Sequence, residues 1–252
     1  MNKNSLKNIA TEVINLEIDA LKILKKSIDK NFDKAVSTIV NCQSKIILCG
    51  VGKSGLIAAK IASTLSSVGS PAFSLSANDC LHGDLGSITR KDVLILISNS
   101  GKSEEIIPII KFANRNKIKL IGIVSKKNSF LYKGSDVKIL LPEVKESGLG
   151  VVPTSSTSIQ LAIGDALAVA TLKTKQFSKY DFSRLHPGGN LGKQLKTVGD
   201  IMAAGTKIPF IGENKNMKEA IKTISNKKFG VVIVRNINKI TTGIITDGNI
   251  RK

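Results

Sequence analysis

The 252-residue chain contains no tryptophan, two histidines and three cysteines, and aromatic residues make up only 4% of it. So few aromatic side chains argue against a surface on which nucleic-acid bases stack. Cys42, Cys49 and Cys80 lack CxxC spacing, and His82 and His186 are the only histidines, so we expect no metal site. We interpret the cysteines as buried free thiols in a reducing compartment.

Long apolar runs and acidic residues are also scarce. No run approaches the roughly 20 apolar residues that a membrane-spanning helix needs, and the N-terminus lacks the apolar segment of a secretory signal, so we expect a cytoplasmic protein. Asp and Glu number 19 against 38 Lys and Arg, a net charge of +19. The lysines are scattered and no helix-turn-helix or zinc-finger pattern is present, so we interpret the charge as attraction for an anionic substrate, not for nucleic acid.

What the chain does have is 42% apolar residues, arranged in two periodicities. Short apolar runs alternate with helical patterns, which predicts an α/β fold with a five-stranded parallel sheet covered on both faces. The predicted strands are residues 45–50, 72–76, 92–98, 119–125 and 137–142, and the predicted helices are residues 55–69, 103–117 and 155–175.

The first 40 residues predict two helices ahead of the sheet. An apolar stripe with spacings of three and four runs along the first of them, and either a partner subunit or the chain's own core would bury it. The stripe consists of Leu6, Ile9, Val13, Leu16, Ala20, Leu24 and Ile28. After Pro187-Gly188-Gly189 a smaller unit begins, with predicted strands at 208–211, 231–237 and 240–248 and a helix at 217–230.

The loop Gly50-Val51-Gly52-Lys53-Ser54-Gly55 follows the first strand and opens a helix. Its glycines let a ligand approach the backbone, and free N–H groups at a helix start attract anions. The spacing fits neither a P-loop nor GxGxxG. Lys53 is therefore either a functional cation or an ordinary surface lysine.

The loop Ser98-Asn99-Ser100-Gly101-Lys102-Ser103-Glu104-Glu105 follows the third strand. Hydroxyls and helix N–H groups together form a cradle for a phosphate monoester. A serine cap with glutamate in the first helical turn would explain Ser103 and Glu105, but it does not require Ser98 and Ser100.

Two further regions carry titratable groups: His82-Gly83-Asp84-Leu85-Gly86, and the stretch from Glu146 through Pro153-Thr154-Ser155-Ser156-Thr157 to His186. Thr154 or Ser155 could simply cap the long helix, and Glu146 could be solvated. Together, a phosphate cradle, a lysine, two carboxylates and two histidines without a cofactor motif suit proton transfer on a phosphorylated sugar.

These loops, in this order, resemble the sugar isomerase (SIS) family and its arabinose 5-phosphate isomerase branch over residues 8–197. The motifs are GVGKSG, HGDLGSI, SNSGKSEE, PTSST with GDALAVA, and LHPGGNLG. The resemblance implies a three-layer flavodoxin-like sandwich and a homotetramer with sites shared between subunits. It also implies cofactor-free interconversion of D-ribulose 5-phosphate and D-arabinose 5-phosphate, which feeds synthesis of Kdo, the acidic sugar of lipopolysaccharide or of some capsules.

By the same resemblance, the catalytic residues are Lys53, Glu105, Glu146 and His186. Glu146 is assigned as the base that forms the enediol, with Glu105 as the alternative; His186 assists ring opening, and Lys53 stabilises developing negative charge. The implied substrate-binding residues are Gly52, Ser54, Gly69, Ser70, His82, Ser98, Asn99, Ser100, Gly101, Ser103, Thr154, Ser155 and Ser156.

The sequence departs from the family pattern in two places, and two other functions are compatible with it. Ser76 stands where many members have a metal-associated histidine. Residues 198–252 resemble one CBS module, with Asn249 where an aspartate usually meets a ribose, so the expected domains are 1–197 and 198–252. The other possible functions are a non-catalytic sugar-phosphate-binding regulator and an isomerase of another ketose phosphate, since fold alone separates none of these.

Overall fold

The computed structural model describes residues 5–186 and 197–251. The chain divides into two compact units, Met1–Gln194 and Leu195–Lys252. The first unit carries these elements: α1 (Leu6–Ser27), α2 (Lys30–Val40), β1 (Ile46–Gly50), α3 (Lys53–Ser67), β2 (Ala72–Ser76), α4 (Ala77–Cys80), a 3-10 turn (Asp84–Ser87), β3 (Val93–Ile97), α5 (Ile106–Arg115), β4 (Lys119–Val124), α6 (Phe130–Gly134), β5 (Val137–Leu140), α7 (Gly148–Val151), α8 (Ser155–Thr174) and α9 (Lys179–Leu185).

The sheet of the first unit is five-stranded and parallel throughout, in the order β2-β1-β3-β4-β5. Strands β1 and β3 at its centre are fully buried, as expected for apolar strands with helices on both faces. Side chains alternate between the faces, so that Ile46 and Leu48 meet one core while Ile47 and Cys49 meet the other. The predicted α/β sandwich is confirmed.

The two helical layers differ in composition. On one face α1, α2, α3 and α8 supply the apolar side chains, and on the other α4, α5 and α6 supply them. Helix α8 packs against α3, α1 and α2, so it connects the N-terminal helices to the sheet layer. This places the amino end of α8 beside the carboxyl edge of the strands.

The apolar stripe of α1 is buried only in part by its own chain. Ala20 and Leu24 are buried in the core, whereas Leu6 and Ile9 at the other end are exposed. Ile14, outside the stripe, is 57% exposed. Ala20 and Leu24 therefore join the chain's own core, while both halves of the helix leave apolar surface uncovered, Ile9 and Ile14 in the amino half and Ile23 in the carboxyl half.

The cysteines are free, and Cys49 and Cys80 are buried as predicted. Cys42 corrects the prediction because it is only partly buried. It lies in the turn after α2, where its thiol donates to the carbonyl of Lys45 at 3.3 Å.

The second unit is a small α+β module, as predicted. Strands β6 and β7 are parallel and β7 and β8 are antiparallel, in the order β6-β7-β8. Ala220 and Ile224 of its longer helix pack with Val232 of β7 in a small core. Its elements are α10 (Val198–Ile201), a 3-10 turn (Gly205–Lys207), β6 (Phe210–Gly212), α11 (Met217–Lys227), β7 (Val231–Arg235), β8 (Thr241–Thr246) and α12 (Asp247–Ile250).

Across residues 5–186 and 197–251, none of the helices combines the length and apolar character that crossing a lipid bilayer requires.

Candidate functional site

The strand order places a crevice between β1 and β3. From β1 the chain moves to one side to form β2 and then returns to the other side to form β3, and the carboxyl ends at such a switch point are where open parallel sheets bind ligands. A cavity of about 380 Å³ opens there. Its lining residues are Val51, Lys53, Ser54, Asn99, Glu146, Val151, Pro153, Ser156, Thr157 and Gln160.

Lys53 reaches this cavity because α3 begins directly against the sheet. A Cβ atom on Gly50 would lie 2.8 Å from the backbone carbonyl carbon of Ser54 and 2.9 Å from the carbonyl oxygen of Ile97. Only glycine permits that approach of the helix start to β1 and β3. Lys53 is the first residue of α3, and its exposed side chain lies at the cavity wall.

The serine loop after β3 is held by its own hydroxyl groups. The Ser98 hydroxyl accepts a hydrogen bond from the Gly101 N–H at 3.0 Å, and the Ser100 hydroxyl accepts one from the Lys102 N–H at 3.3 Å. The side-chain oxygen of Asn99 accepts a hydrogen bond from the Ser125 hydroxyl at 2.6 Å. These bonds hold the loop in one conformation.

Asn99 is the member of this loop that lines the cavity at the switch point. Ser100 lines a neighbouring cavity of about 640 Å³, together with Lys102, Lys126 and Lys127. Ser98 and Gly101 are buried beneath the loop. The serine loop therefore lies between a carboxylate-bearing cavity and a lysine-rich one.

Glu146 is anchored at the amino end of α8 through one of its two oxygens. Oε2 accepts hydrogen bonds from the Thr154 N–H at 2.9 Å, the Ser156 N–H at 3.3 Å and the Thr154 hydroxyl at 3.3 Å. Partial burial raises the pKa of Glu146, but the hydrogen bonds from Ser156 and Thr154 outweigh it and leave the pKa below its ordinary value. Oε1 takes part in none of these three bonds.

The side chains of Thr154, Ser155 and Ser156, at the start of α8, therefore have different surroundings. Thr154 holds Glu146 and does not cap the helix with its own side chain. Ser156 is buried and lines the cavity. Ser155 is fully buried, and its hydroxyl has no hydrogen-bond partner among the described residues.

Three residues predicted for the site lie at the carboxyl edge but outside the cavity lining. His82 is exposed on the turn after α4. Glu105 is half-buried at the N-cap position of α5, and Ser103 lies in the turn before it. Their roles remain predictions.

Gly69 and Ser70 precede β2 and so lie at the amino edge of the sheet, opposite the cavity. A Cβ atom on Gly69 would collide with the ring of Phe177, and the hydroxyl of Ser70 accepts a hydrogen bond from the ammonium of Lys175 at 2.9 Å. Within one chain these two residues join the end of α3 to the end of α8. Their predicted contact with substrate is not made within this cavity.

His186 follows α9, and its ring is fixed by Phe182. Nδ1 lies 2.8 Å from the Phe182 carbonyl oxygen, and the two rings stack with centroids 3.8 Å apart. A carbonyl only accepts, so Nδ1 carries the proton and, in the neutral ring, Nε2 keeps the lone pair. His186 does not line the cavity of its own chain. The Pro187-Gly188-Gly189 motif after it lies outside the described residues.

Gln160 is a cavity residue that the sequence interpretation missed. It lies one turn after Ser156 on α8, and its Oε1 accepts a hydrogen bond from the Ser54 hydroxyl at 3.1 Å. The only signal in the sequence was a glutamine within an otherwise apolar helical stretch, which is weak on its own.

Comparison with known families matches both units. The SIS domain model matches residues 39–170, and the CBS domain model matches residues 198–252. The SIS match includes Lys53, the serine loop and Glu146, and it ends before His186.

Individual relatives are similar over nearly the whole chain. The arabinose 5-phosphate isomerase KdsD of Francisella tularensis is 44% identical over 97% of this chain and 76% of the relative. The same-named protein of Escherichia coli K12 is 39% identical over 96% of this chain and 74% of the relative. An uncharacterised protein of Rickettsia prowazekii is 38% identical over all of this chain and 79% of the relative.

Solved structures are similar over the first unit. A protein of E. coli CFT073 in complex with arabinose 5-phosphate superposes with a TM-score of 0.71 and 34% identity, covering 74% of this chain and all of that one. A putative phosphosugar isomerase of Bacteroides fragilis, described as involved in capsule formation, has a TM-score of 0.70 and 35% identity, covering 73% of this chain and 99% of that one.

Proposed function

This chain belongs to the SIS family, and we propose that it is an aldose–ketose isomerase that interconverts D-ribulose 5-phosphate and D-arabinose 5-phosphate. Curated relatives with this activity in their names match nearly the whole chain. The observation within the structure that carries the proposal is the cavity at the strand switch point, which Lys53 and Glu146 both line.

The reaction needs one proton to move between neighbouring carbons. A base removes a proton from C1 of the open-chain ketose, and the C2 oxygen takes up a proton to give an enediol; a proton is then returned to C2 while the C1 hydroxyl loses its proton, which gives the aldose. Glu146 suits the role of base because Oε2 is anchored at α8, while Oε1 lies outside those bonds and can accept the proton. Its lowered pKa keeps it ionised at neutral pH.

A carboxylate stabilised in this way is a weak base. The site must therefore make the C1–H bond of the substrate more acidic. The ammonium of Lys53 in the same cavity supplies positive charge to the oxygen on which negative charge develops. The position of Glu146 in the cavity supports it over Glu105 as the base, because Glu105 is not part of the lining. His186, with its free Nε2, is assigned to ring opening.

The phosphate group is assigned to the serine loop. Ser98, Ser100 and Ser103 supply hydroxyls that can donate to a phosphate, because Ser98 and Ser100 accept from the Gly101 and Lys102 N–H groups and keep their own protons for a ligand; the amino end of α3 adds its dipole. The net charge of +19 attracts a dianionic substrate. We assign the charge to substrate attraction and propose no nucleic-acid partner, cofactor or metal.

We also propose a homotetramer whose active sites are shared between subunits. The exposed amino half of α1 supports this, as does a second cavity in which Ile9, Val13 and Leu16 face Glu146 and the loop that follows it. A neighbouring subunit seated there would cover apolar surface next to the base. In such an assembly His82 and His186 act in a neighbour's cavity.

The assembly is tested by placing charge on the exposed amino half of α1, where Ile14 is 57% exposed. Ile14→Lys is expected to lower the molar mass measured by light scattering and to lower activity with it, because burying an unpaired ammonium in an interface is costly. Asn15→Lys, on the neighbouring exposed position of α1, is the control and leaves the tetramer intact. A tetramer that survives Ile14→Lys would contradict this use of α1.

The cellular setting follows from the substrate. Phosphorylated sugars are cytoplasmic metabolites, so we place the enzyme in the cytoplasm, at the first step of Kdo synthesis for lipopolysaccharide or capsule. We propose residues 1–197 as the isomerase domain and residues 198–252 as a CBS domain that is half of a regulatory pair. Asn249 stands where an aspartate usually meets a ribose, and its side-chain oxygen already accepts a hydrogen bond from the Thr246 hydroxyl at 2.8 Å. We therefore propose no adenylate contact at this residue.

One experiment separates the isomerase from a regulator that only binds. Purified protein is mixed with D-ribulose 5-phosphate in D2O without added metal, and products are identified by NMR. We expect arabinose 5-phosphate with deuterium at C2, because the enediol is reprotonated from solvent-exchanged groups. Ribose 5-phosphate would indicate reprotonation on the opposite face, and absence of any aldose would overturn the proposal.

A further inference from the structure

Gln160 occupies an unusual position for an amide side chain. It is 1% exposed, on a helix whose neighbouring residues Ile159 and Ile163 belong to the apolar core. Burial of an amide without hydrogen bonds is costly, so each of its polar atoms needs a partner or access to a ligand.

Among the described residues, one end of the Gln160 amide has a hydrogen-bond partner. The Ser54 hydroxyl donates to Oε1 at 3.1 Å, and no described residue accepts a hydrogen bond from Nε2. Gln160 is also absent from the set of fully enclosed side-chain atoms that lack partners, which includes Ser155 Oγ and Thr171 Oγ1. Gln160 lines the cavity, so a ligand in that space is the acceptor available to Nε2.

The cavity into which the amide opens also holds the charged groups. Lys53 and Glu146 line it, and Ser54, the partner of Gln160, is the residue next to Lys53. A neutral donor there complements the oxygens of a polyol chain, which accept hydrogen bonds in both the carbonyl and the hydroxyl form.

We propose that Gln160 donates a hydrogen bond from Nε2 to an oxygen of the open-chain sugar, beside the carbons between which the proton moves. This inference rests on the proposed isomerase function and adds a substrate-contacting residue to it. A site built to hydrogen-bond a substrate oxygen discriminates against sugars that place that oxygen elsewhere. Gln160 is thereby a specificity determinant for the sugar and not for the phosphate.

The main variant is Gln160→Met, which keeps the length of the side chain and removes the donor. We expect kcat/KM for ribulose 5-phosphate to fall about 10- to 100-fold, because the substrate oxygen is left without a partner in a buried site. The inhibition constant of inorganic phosphate should stay within about twofold of wild type, because phosphate alone occupies the serine loop.

Thr171→Val is the matched control. Thr171 lies on the same helix, is fully buried and has an enclosed hydroxyl that finds no partner within residues 5–186 and 197–251, so its replacement also removes a buried polar atom. It is three turns away from Gln160 and does not line the cavity. We expect its kcat/KM to equal that of wild type.

Gln160→Glu provides a second route if Gln160→Met does not fold. It keeps an oxygen acceptor for Ser54, removes the N–H donor and adds a carboxylate to the cavity that Glu146 lines, so it too must lose kcat/KM. Wild-type kcat/KM in either folded variant would overturn the inference. So would a rise in the phosphate inhibition constant equal to the loss in kcat/KM, since that would mean general damage to the site.

Failure of the proposed function is distinguishable from failure of this inference. If wild-type protein does not isomerise ribulose 5-phosphate, the proposed function fails, and calorimetric binding of arabinose 5-phosphate replaces turnover. Gln160→Met must then weaken binding of the sugar phosphate and leave binding of inorganic phosphate unchanged. Equal affinities of wild type and variant for the sugar phosphate would overturn the inference.

Discussion

Replacing Asp92 by asparagine should destabilise the first unit by an amount that disappears in acid. Asp92 precedes β3, and its side chain is fully buried. Its carboxylate accepts from the Thr89 N–H at 2.6 Å, the Thr89 hydroxyl at 2.9 Å and the Lys45 ammonium at 3.0 Å. Lys45 precedes β1, so this carboxylate joins the amino ends of the two central strands.

The size of the destabilisation follows from the pKa of Asp92. Burial raises the pKa of Asp92, and the hydrogen bonds from Thr89, Ser44 and Lys45 outweigh it and lower the pKa from 3.8 to about 2. At about 1.4 kcal/mol per pKa unit, the difference of about 1.8 units corresponds to about 2.5 kcal/mol. Because the folded-state pKa is depressed, this stability is present above pH 3.8 and is lost as pH falls towards 2.

Urea unfolding followed by tyrosine fluorescence measures the unfolding free energy of the first unit alone. The chain has no tryptophan, and both tyrosines, Tyr132 and Tyr180, belong to the first unit. Asp92→Asn should lower the unfolding free energy by about 2 kcal/mol at pH 7, and the gap to wild type should narrow below pH 3.8.

Asp136→Asn is the matched control for Asp92→Asn. Asp136 also precedes a strand and pairs with a lysine, Lys119, at 3.2 Å, but its side chain is 38% exposed. Solvent screens such a pair, so its loss should cost under about 1 kcal/mol. An equal cost for the two variants, or a gap for Asp92→Asn that is the same at pH 7 and pH 3, would refute the reasoning.

Three further predictions concern the site. Glu146→Gln should lower kcat at least about 10³-fold with little change in KM, because the base is lost while the side chain keeps its shape. Steady-state kinetics tests this prediction, and near-normal turnover would show that Glu146 is not the base. Thr154→Val removes the hydrogen bond from the Thr154 hydroxyl to Glu146, so the pKa of Glu146 should rise. The acid limb of the plot of kcat/KM against pH should then move to higher pH, and an acid limb at the wild-type position would contradict this prediction. Gly101→Ala should raise the inhibition constant of inorganic phosphate, because Gly101 has φ +62° and its Cβ would lie 2.6 Å from Val124.

The central sheet could be predicted from the sequence because its strands are buried on both faces. Residues 46–50 and 93–97 are apolar without interruption, which leaves little choice of structure between the glycine-rich turns. The short helices α4, α6 and α9 were not predicted, since fewer than two or three turns show no periodicity. Helix α5 begins at Ile106 and not at Ser103, because the preceding residues form a turn that continues the serine loop.

The site was predictable as a set of loops but not as a geometry. Strand ends placed Lys53 and Glu146 at one edge of the sheet, and a cavity includes both. That Glu146 turns back onto α8 depends on Leu149 and Gly150, whose φ values of 63° and 75° reverse the chain between them. Leu149 is not a residue from which a left-handed conformation would be expected.

Helix α8 fixes both walls of the cavity, and this determines how variants of Glu146 must be interpreted. Its first N–H groups, from Thr154 and Ser156, lack partners within the helix and are satisfied by Glu146, while one turn later Gln160 holds Ser54 on α3. Glu146→Ala would therefore uncap α8 and could displace Ser54 and its neighbours, so its loss of activity would mix two causes. Glu146→Gln retains an oxygen that accepts from the same N–H groups, and it removes the negative charge and with it the ability to take up a proton. A large kcat loss in Glu146→Gln with unchanged stability isolates the chemical role, and the additional loss in Glu146→Ala measures what the cap contributes to the site.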